Sequence, residues 1–136
     1  MKRVLILCTA NSARSQMAEG LLRARGGGRF EVHSAGAHPT RVRPEAIAVM
    51  AEVGIDISGH WSKSTAEFVD QSFDFVITVC DNAKDVCPVF PGGATYLHWS
   101  FADPAAQEDD EAARLEAFRG IRDQMDARFR SWLGEV

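Results

Sequence analysis

A short apolar run near the start of the chain, followed by a loop and an amphipathic segment, constrains the fold more than any other feature. Val4–Leu7 is too brief for a helix and is bounded by turn-forming residues, so we predict a buried parallel strand. Cys8 stands where this strand ends. After the loop comes a helical pattern whose apolar face carries Met17, Leu21 and Leu22. The predicted order is therefore strand, loop, helix.

The loop from Cys8 to Ser15 has the composition of an anion-binding site. A loop between a strand's carboxyl end and a helix N-terminus directs backbone N–H groups to one point, where the helix dipole also favours negative charge. Arg14 adds a planar, permanently charged fork suited to a tetrahedral oxyanion. Cys8 lies in the same positive field, which predicts a lowered thiol pKa and a thiolate to which Ser15 can donate. This geometry favours in-line attack at phosphorus or arsenic.

The loop resembles the phosphate-binding loop of the low-molecular-weight protein tyrosine phosphatases and of the arsenate reductases built on that fold. It lacks the glycine-rich, lysine-ended pattern of nucleotide-binding loops. Ala10 stands where a glycine is usual and Ala13 where many members carry a cysteine, and neither change removes a role assigned above. The resemblance implies that the oxyanion is bound by Thr9, Ala10, Asn11, Ser12, Ala13 and Arg14.

Length and composition indicate a single domain spanning residues 1–136. With 136 residues, of which 46% are hydrophobic, the chain can bury its own core. Three cysteines, an odd number, without a signal peptide, favour a reducing compartment, so we expect a cytoplasmic protein. No apolar run approaches about 18 residues, and the net charge is −4, so we expect neither membrane nor nucleic-acid binding. We also expect a monomer.

Strand and helix patterns alternate along the chain. This alternation predicts an α/β fold, a four-stranded parallel sheet flanked by helices on both faces, similar to the low-molecular-weight phosphatases. Because Cys8, Ser34 and Cys80 follow predicted strands, we expect them to meet at one edge of the sheet, where the strand order reverses. Strands are predicted over 4–7, 30–36, 73–79 and 95–99, and helices after the loop, over 44–53, near 64–67, from Asp81 and over 112–132.

Cys80 and Cys87 form a second candidate constellation. On a helix, their spacing would place them about 10.5 Å apart along the axis, whereas a disulfide needs Cα atoms within roughly 7 Å. Pro88 cannot continue a helix, so we predict a short, weakly held redox segment that unwinds when the two cysteines bond. Two core cysteines or a zinc site are the alternatives, although no C-x2-C pair supports zinc.

The resemblance then extends to the thioredoxin-coupled arsenate reductases, over most of the chain from Val4 to about Arg122. Ordinary phosphatases of this fold lack the cysteine pair and tend to carry a tyrosine-rich strip, whereas Tyr96 is the sole tyrosine here. The motifs that carry the similarity are Thr78-Val79-Cys80, Cys87-Pro88, His98-Trp99 and Asp103-Pro104.

This resemblance implies a three-cysteine relay. Cys8 attacks arsenate, with phosphate and sulfate as competing oxyanions, while Asp103 protonates the departing oxygen. Cys80 then attacks Cys8, and Cys87 takes over the disulfide, which thioredoxin reduces. The resemblance implies no metal and no organic cofactor. A weak phosphatase side activity is expected.

Two other functions remain open at this stage. A phosphatase acting on phosphotyrosine or small phosphoesters would use the same loop, with Cys80 and Cys87 as a redox-regulatory pair. A non-enzymatic sensor of oxyanions or redox state would bind a partner through the segment around Cys87. Within the reductase hypothesis, a glutaredoxin or a small thiol is an alternative reductant.

One departure from the family concerns a cation. Some members are similar in carrying a potassium site, and Asn11, Ser34 and Glu19 match three of its ligands. The counterpart of the remaining aspartate is Lys63, whose ammonium can replace the ion by bridging to Glu19 or Asn11. We therefore predict no potassium dependence.

Overall fold

The computed structural model describes residues 1–105 and 110–136 and has the predicted order of elements. The second strand has the predicted bounds, and a helix begins at Asp81 as predicted. The elements are β1 (Lys2–Cys8), α1 (Arg14–Gly26), β2 (Phe30–Gly36), α2 (Pro44–Ala51), β3 (Phe75–Thr78), α3 (Asp81–Val86), β4 (Thr95–His98) and α4 (Glu111–Leu133), with 3-10 turns at Gly27–Arg29 and Thr65–Glu67.

The four strands form one parallel sheet in the order β2-β1-β3-β4. The chain passes from β1 to β2 on one side and returns to β3 on the other, so the strand order reverses between β1 and β3. Ligands of open parallel sheets bind at such a reversal, beyond the carboxyl ends of the strands. Val4–Leu7 is almost fully buried, as expected for a central strand covered on both faces. The predicted fold class is confirmed.

Helix α4 contributes the largest apolar stripe outside the sheet. Its buried side chains recur every three or four residues. They lie on the side of α4 that contacts α1 and α2. The stripe comprises Phe118, Ile121, Met125, Phe129 and Trp132. Among the described residues, none of the helices combines the length and apolar character that crossing a bilayer demands.

Three predicted ranges were too wide, and one of them is β4, which covers 95–98 rather than 95–99. Strand β3 covers 75–78 rather than 73–79, because Asp74 instead bonds through its backbone and side chain to Arg3. Helix α2 ends at Ala51, and Val53, predicted on its apolar stripe, is exposed. A tight turn that ends at Gly54, with φ of 79°, stops this helix earlier than the hydrophobic pattern suggested.

Candidate active site

The loop between β1 and α1 turns its carbonyl groups away from its centre. Each carbonyl oxygen from Thr9 to Ala13 accepts a hydrogen bond from the surrounding chain or from the first turn of α1. Since these oxygens are engaged outside, the loop's N–H groups are the backbone groups left to face an anion. The donors are His38, Thr40 and Arg43 through their amides, Gln16 and Ser62 through their side chains, and Met17 through its amide.

Asn11 and Gly36 shape the loop. Asn11 adopts a left-handed conformation, with φ of 49°, which asparagine tolerates better than most residues. Its fully buried amide donates to the hydroxyls of Ser15 (2.7 Å) and Ser34 (2.9 Å). Gly36 lies against the loop so closely that a Cβ there would stand 2.5 Å from the carbonyl oxygen of Thr9. The end of β2 therefore requires glycine at this position.

Arg14 and Asp103, both predicted as site residues, lie close together beside the loop. The guanidinium donates to the carbonyl oxygen of Phe101 (3.0 Å), and its other terminal nitrogen lies 4.0 Å from the Asp103 carboxylate. Asp103 is partly exposed and accepts from the amide of Ala105 (3.0 Å), so Pro104 and this turn fix its loop. The two charged groups therefore lie side by side next to the loop, the guanidinium close to the carboxylate.

Cys8 and Cys80 lie in contact at the reversal of strand order. The hydrogen bond between their sulfur atoms is the main influence on both thiols: it raises the pKa of Cys8 above its usual value and lowers the pKa of Cys80 to about 5. Burial also raises the pKa of Cys8, whereas Arg14 and the amide of Ser15 lower it. The predicted lowering by Arg14 therefore acts on Cys8, and burial and the contact with Cys80 oppose it.

Cys80 is further stabilised as a thiolate by its neighbours. The hydroxyl of Thr9 lies 3.4 Å from its sulfur, and the amide of Ala83 in α3 also donates to it. The Thr9 oxygen in turn accepts from the side chain of Asn82 (3.0 Å), so its single hydrogen is directed to Cys80. Thr9 thus links the anion loop to the first turn of α3.

Cys87 ends α3 close to the other two cysteines. It is half-buried, which raises the pKa of its thiol, and the thiol donates to the carbonyl oxygen of Pro88 (3.4 Å). Cys87 and Cys8 both line a cavity of about 30 Å³ under α3. All three cysteines are free thiols in this structure. Cys87 therefore starts as a protonated thiol whose conversion to a nucleophile requires exposure.

Ser15 contacts Cys8 through its backbone amide rather than through the hydroxyl, which was predicted to donate to the Cys8 thiolate. Its backbone amide bonds to the Cys8 sulfur, while its buried hydroxyl accepts from Asn11. The hydroxyl thus holds the loop, and the amide supports the nucleophile.

Behind the loop lies a buried polar cluster around Glu19. Its carboxylate accepts from the hydroxyl of Ser34 (2.6 Å) and pairs with Arg23 (2.8 Å), and the ammonium of Lys63 stands 3.7 Å away. Lys63 thus lies beside Glu19, as the sequence predicted, and its amide also donates to Asn11 (2.8 Å). In the described ranges 1–105 and 110–136, no group of three or more metal-ligating side chains could hold an ion.

Sequence reasoning missed the residues that support the loop from outside. Gln16 donates to Asn11 and to the carbonyl oxygen of Trp61 and accepts from His60 (3.0 Å). Gln16 is fully buried on the first turn of α1, and its sequence neighbours Ser15 and Met17 gave no signal of this. Nothing local identifies His60, because its partners come from another part of the chain.

Comparison with known proteins agrees with this geometry. The family model described as low molecular weight phosphotyrosine protein phosphatase matches residues 3–136, so the chain belongs to this family. Within it, an arsenate reductase of Halalkalibacterium halodurans is 40% identical over 131 residues, which cover 96% of this chain and 94% of that protein.

Two solved structures are similar over nearly the whole chain. An arsenate reductase in a phosphate-binding state superposes with a TM-score of 0.85 at 38% identity, covering 100% of this chain and 99% of that one. A thioredoxin-dependent arsenate reductase of Corynebacterium glutamicum gives a TM-score of 0.78 at 32% identity, covering 99% of this chain and 61% of that one.

Proposed function

We propose that this protein reduces arsenate to arsenite through Cys8, Cys80 and Cys87, and that thioredoxin reduces the final disulfide. The observation that carries the proposal is the meeting of three cysteines at an oxyanion loop. Cys80 contacts Cys8, and Cys87 lines the same small cavity as Cys8. The similar proteins described above are arsenate reductases, which supports the same chemistry.

The first step forms a bond between the Cys8 sulfur and arsenic. Arsenate binds to the amides of residues 9–14 and to the guanidinium of Arg14. Cys8 passes its proton to an arsenate oxygen and loses its hydrogen bond to Cys80, after which Arg14 and the Ser15 amide favour its thiolate. The thiolate attacks arsenic, and Asp103 protonates the oxygen that leaves as water.

The second step reduces the arsenic. The Cys80 thiolate attacks the Cys8 sulfur, a disulfide forms, and the electron pair of the broken sulfur–arsenic bond stays on arsenic, which departs as arsenite. The lowered pKa of Cys80 suits this role, since thiolates are the attacking species.

The third step moves the disulfide outwards. Cys87 attacks the Cys80 sulfur, Cys8 leaves as a thiolate, and a Cys80–Cys87 disulfide results. Because helical geometry separates these cysteines, α3 must unwind during this exchange. Thioredoxin then reduces the exposed disulfide. One of the similar structures is a thioredoxin-dependent arsenate reductase, which supports thioredoxin as the reductant.

The phosphatase alternative is not favoured, because hydrolysis itself requires neither Cys80 nor Cys87 and the similar proteins described above are arsenate reductases. A weak hydrolysis of aryl phosphates is expected as a side activity, since the loop, Arg14 and Asp103 would serve both reactions.

The test is arsenate-dependent NADPH oxidation in the presence of thioredoxin and thioredoxin reductase. The wild type should turn over repeatedly, whereas Cys87→Ser should release about one equivalent of arsenite and oxidise almost no NADPH, because its disulfide stays between Cys8 and Cys80. If neither protein consumes NADPH and both hydrolyse an aryl phosphate equally, the phosphatase alternative replaces the proposal. NADPH oxidation that needs glutaredoxin and glutathione instead would contradict the thioredoxin coupling alone.

A further inference from the structure

A hydrogen-bonded pair ties the first residue of α3 to the end of β4. The Asp81 carboxylate accepts from Nε2 of His98 (2.9 Å). A carboxylate can only accept, so this ring nitrogen carries a hydrogen. The Ser100 hydroxyl also bonds to Asp81, and these contacts, His98 first, hold the pKa of this carboxyl below its usual range. Asp81 directly follows Cys80, so this attachment lies beside the relay.

His98 is itself fixed by the sheet. Its Nδ1 lies 2.7 Å from the hydroxyl of Thr78, the residue paired with it in the β3–β4 register. Thr78 is almost fully buried. With Nε2 bonded to Asp81 and Nδ1 bonded to Thr78, the imidazole ring has one orientation. The pair therefore connects α3 to a rigid part of the sheet rather than to another mobile side chain.

The rest of α3 has few attachments. Ala83 is its buried residue, and the other five positions are exposed. Cavities of about 30 and 210 Å³ adjoin the helix, and Cys87 lines both. In the described part of the chain, the first turn of α3 has one other side-chain hydrogen bond to a different element, from Asn82 to Thr9. Segments with little buried area open at low free energy, so single attachments have measurable weight there.

We propose that His98 and Asp81 are positioning residues for the relay: their hydrogen bond holds the first turn of α3, and with it the Cys80 sulfur, against Cys8. This inference rests on the proposed function for its role and on the contacts above for its geometry. The bond must break when Cys87 draws Cys80 away, so it opposes unwinding until the first disulfide has formed. Loss of the bond should make α3 open more often in the reduced protein.

The test is amide hydrogen exchange over residues 81–87 in the reduced protein without arsenate. Asp81→Ala and His98→Ala should each speed exchange there about two- to fivefold, the range expected for loss of one partly exposed hydrogen bond. Asp81→Asn and His98→Gln keep an acceptor and a donor, respectively, and should restore much of the protection. The matched control is Asp85→Ala, on the same helix, where the described residues include no side-chain partner for Asp85.

A double-mutant cycle separates the pair from effects on the helix alone. An acidic residue in the first turn stabilises a helix by itself, so Asp81→Ala also weakens α3 independently of His98. If the pair acts as proposed, the double variant exchanges no faster than the more affected single variant. Exchange in Asp81→Ala equal to that in Asp85→Ala, or effects that add in the double variant, would overturn the inference.

A second readout connects the pair to the relay. After one equivalent of arsenate without thioredoxin, both alanine variants should convert the Cys8–Cys80 disulfide to Cys80–Cys87 faster by a similar factor. Unchanged conversion despite faster exchange would overturn the positioning role. If the wild type forms no disulfide with arsenate, the proposed function fails, and the exchange measurement still decides whether the pair holds α3.

Discussion

Two segments leave the same edge of the sheet, and they are held in opposite ways. In the loop Cys8–Ser15, which follows β1, every carbonyl oxygen of residues 9–13 accepts a hydrogen bond. Asn11 and Ser15 in this loop are fully buried. After β3, the six-residue helix α3 buries one side chain and adjoins two cavities. The sulfur atoms of Cys8 and Cys80 meet at the boundary between them.

The difference matches the two kinds of chemistry proposed for the site. Stabilising charge on an oxyanion requires donors that are already oriented, because reorientation during the reaction would cost free energy. Carrying a disulfide to a reductant requires a segment that can leave its place, and such segments belong to the less stable parts of a structure. A rigid loop and a releasable helix on adjacent strands provide both.

Arg14→Lys should have the largest effect, because it breaks the rigid segment at its charged end. Lysine keeps the charge but loses the planar fork, so kcat/KM for arsenate should fall about 100-fold. Steady-state kinetics measures this, and Arg41→Lys, at an exposed position outside the loop, is the control. A loss below about threefold would mean that Arg14 acts as a simple point charge.

Gly36→Ala should disturb the rigid segment without touching a reactive group. The added Cβ would meet the Thr9 carbonyl oxygen at 2.5 Å, so the loop must shift; we expect about 1–3 kcal/mol of destabilisation and a tenfold loss of kcat/KM. Gly28→Ala is the matched control, since a Cβ there meets open space. Chemical denaturation and kinetics measure the two effects. Equal stability of both variants would contradict the close packing.

Asn82→Ala sharpens the comparison from the α3 side. It removes the bond to Thr9 (3.0 Å), which is exposed, so the unfolding free energy should change by less than about 1 kcal/mol. Turnover should stay within about threefold of the wild type, because α3 must leave this position in every cycle. If Asn82→Ala lost as much unfolding free energy and as much turnover as Gly36→Ala, α3 would be held as rigidly as the loop, contrary to this account.

Potassium should have little effect on turnover. The Lys63 ammonium stands 3.7 Å from the buried Glu19 carboxylate and supplies a positive charge there. Rates in potassium and sodium chloride at equal ionic strength should agree within about twofold. Lys63→Met removes the charge and opens space beside Glu19, so a potassium-specific rise should appear in that variant. A strong potassium activation of the wild type would contradict this account.

The smallest expected effect concerns His60, which supports Gln16 behind the loop. Burial lowers the pKa of His60, so the folded protein binds fewer protons than the unfolded chain as pH falls below about 6.5. Stability should therefore decrease from pH 7.5 to pH 5.5, by about 0.5 kcal/mol or less because the ring is partly screened. His60→Asn, which keeps a donor towards Gln16, should reduce this slope. Identical slopes from denaturation at each pH would contradict the assignment.

Local signals in the sequence predicted the framework well. The alternating pattern of 30–36 fixed β2, and Asp81 and Pro88 bounded α3, because strand periodicity, helix caps and proline act over a few residues. The order of the elements and the parallel direction of the strands followed from the alternation of strands and helices, whereas the strand order β2-β1-β3-β4 was not predicted.

Contacts between distant parts of the chain could not be predicted. The fit of Gly36 against Thr9 and the bonds of Gln16 depend on how separate elements pack. The same holds for the contact between Cys8 and Cys80, which opposes the predicted lowering of the Cys8 pKa. A loop's composition indicates the electrostatic field on its cysteine, whereas a hydrogen-bond partner from another part of the chain depends on the tertiary packing.

Disulfide mapping after a single turnover tests the division between loop and helix most directly. Reduced protein would receive one equivalent of arsenate without thioredoxin, followed by acid quenching, alkylation and peptide mass spectrometry. We predict a Cys80–Cys87 disulfide with a free Cys8 in the wild type, and a Cys8–Cys80 disulfide in Cys87→Ser. A disulfide between Cys8 and Cys87, or no arsenite release with all three thiols still free, would contradict the relay.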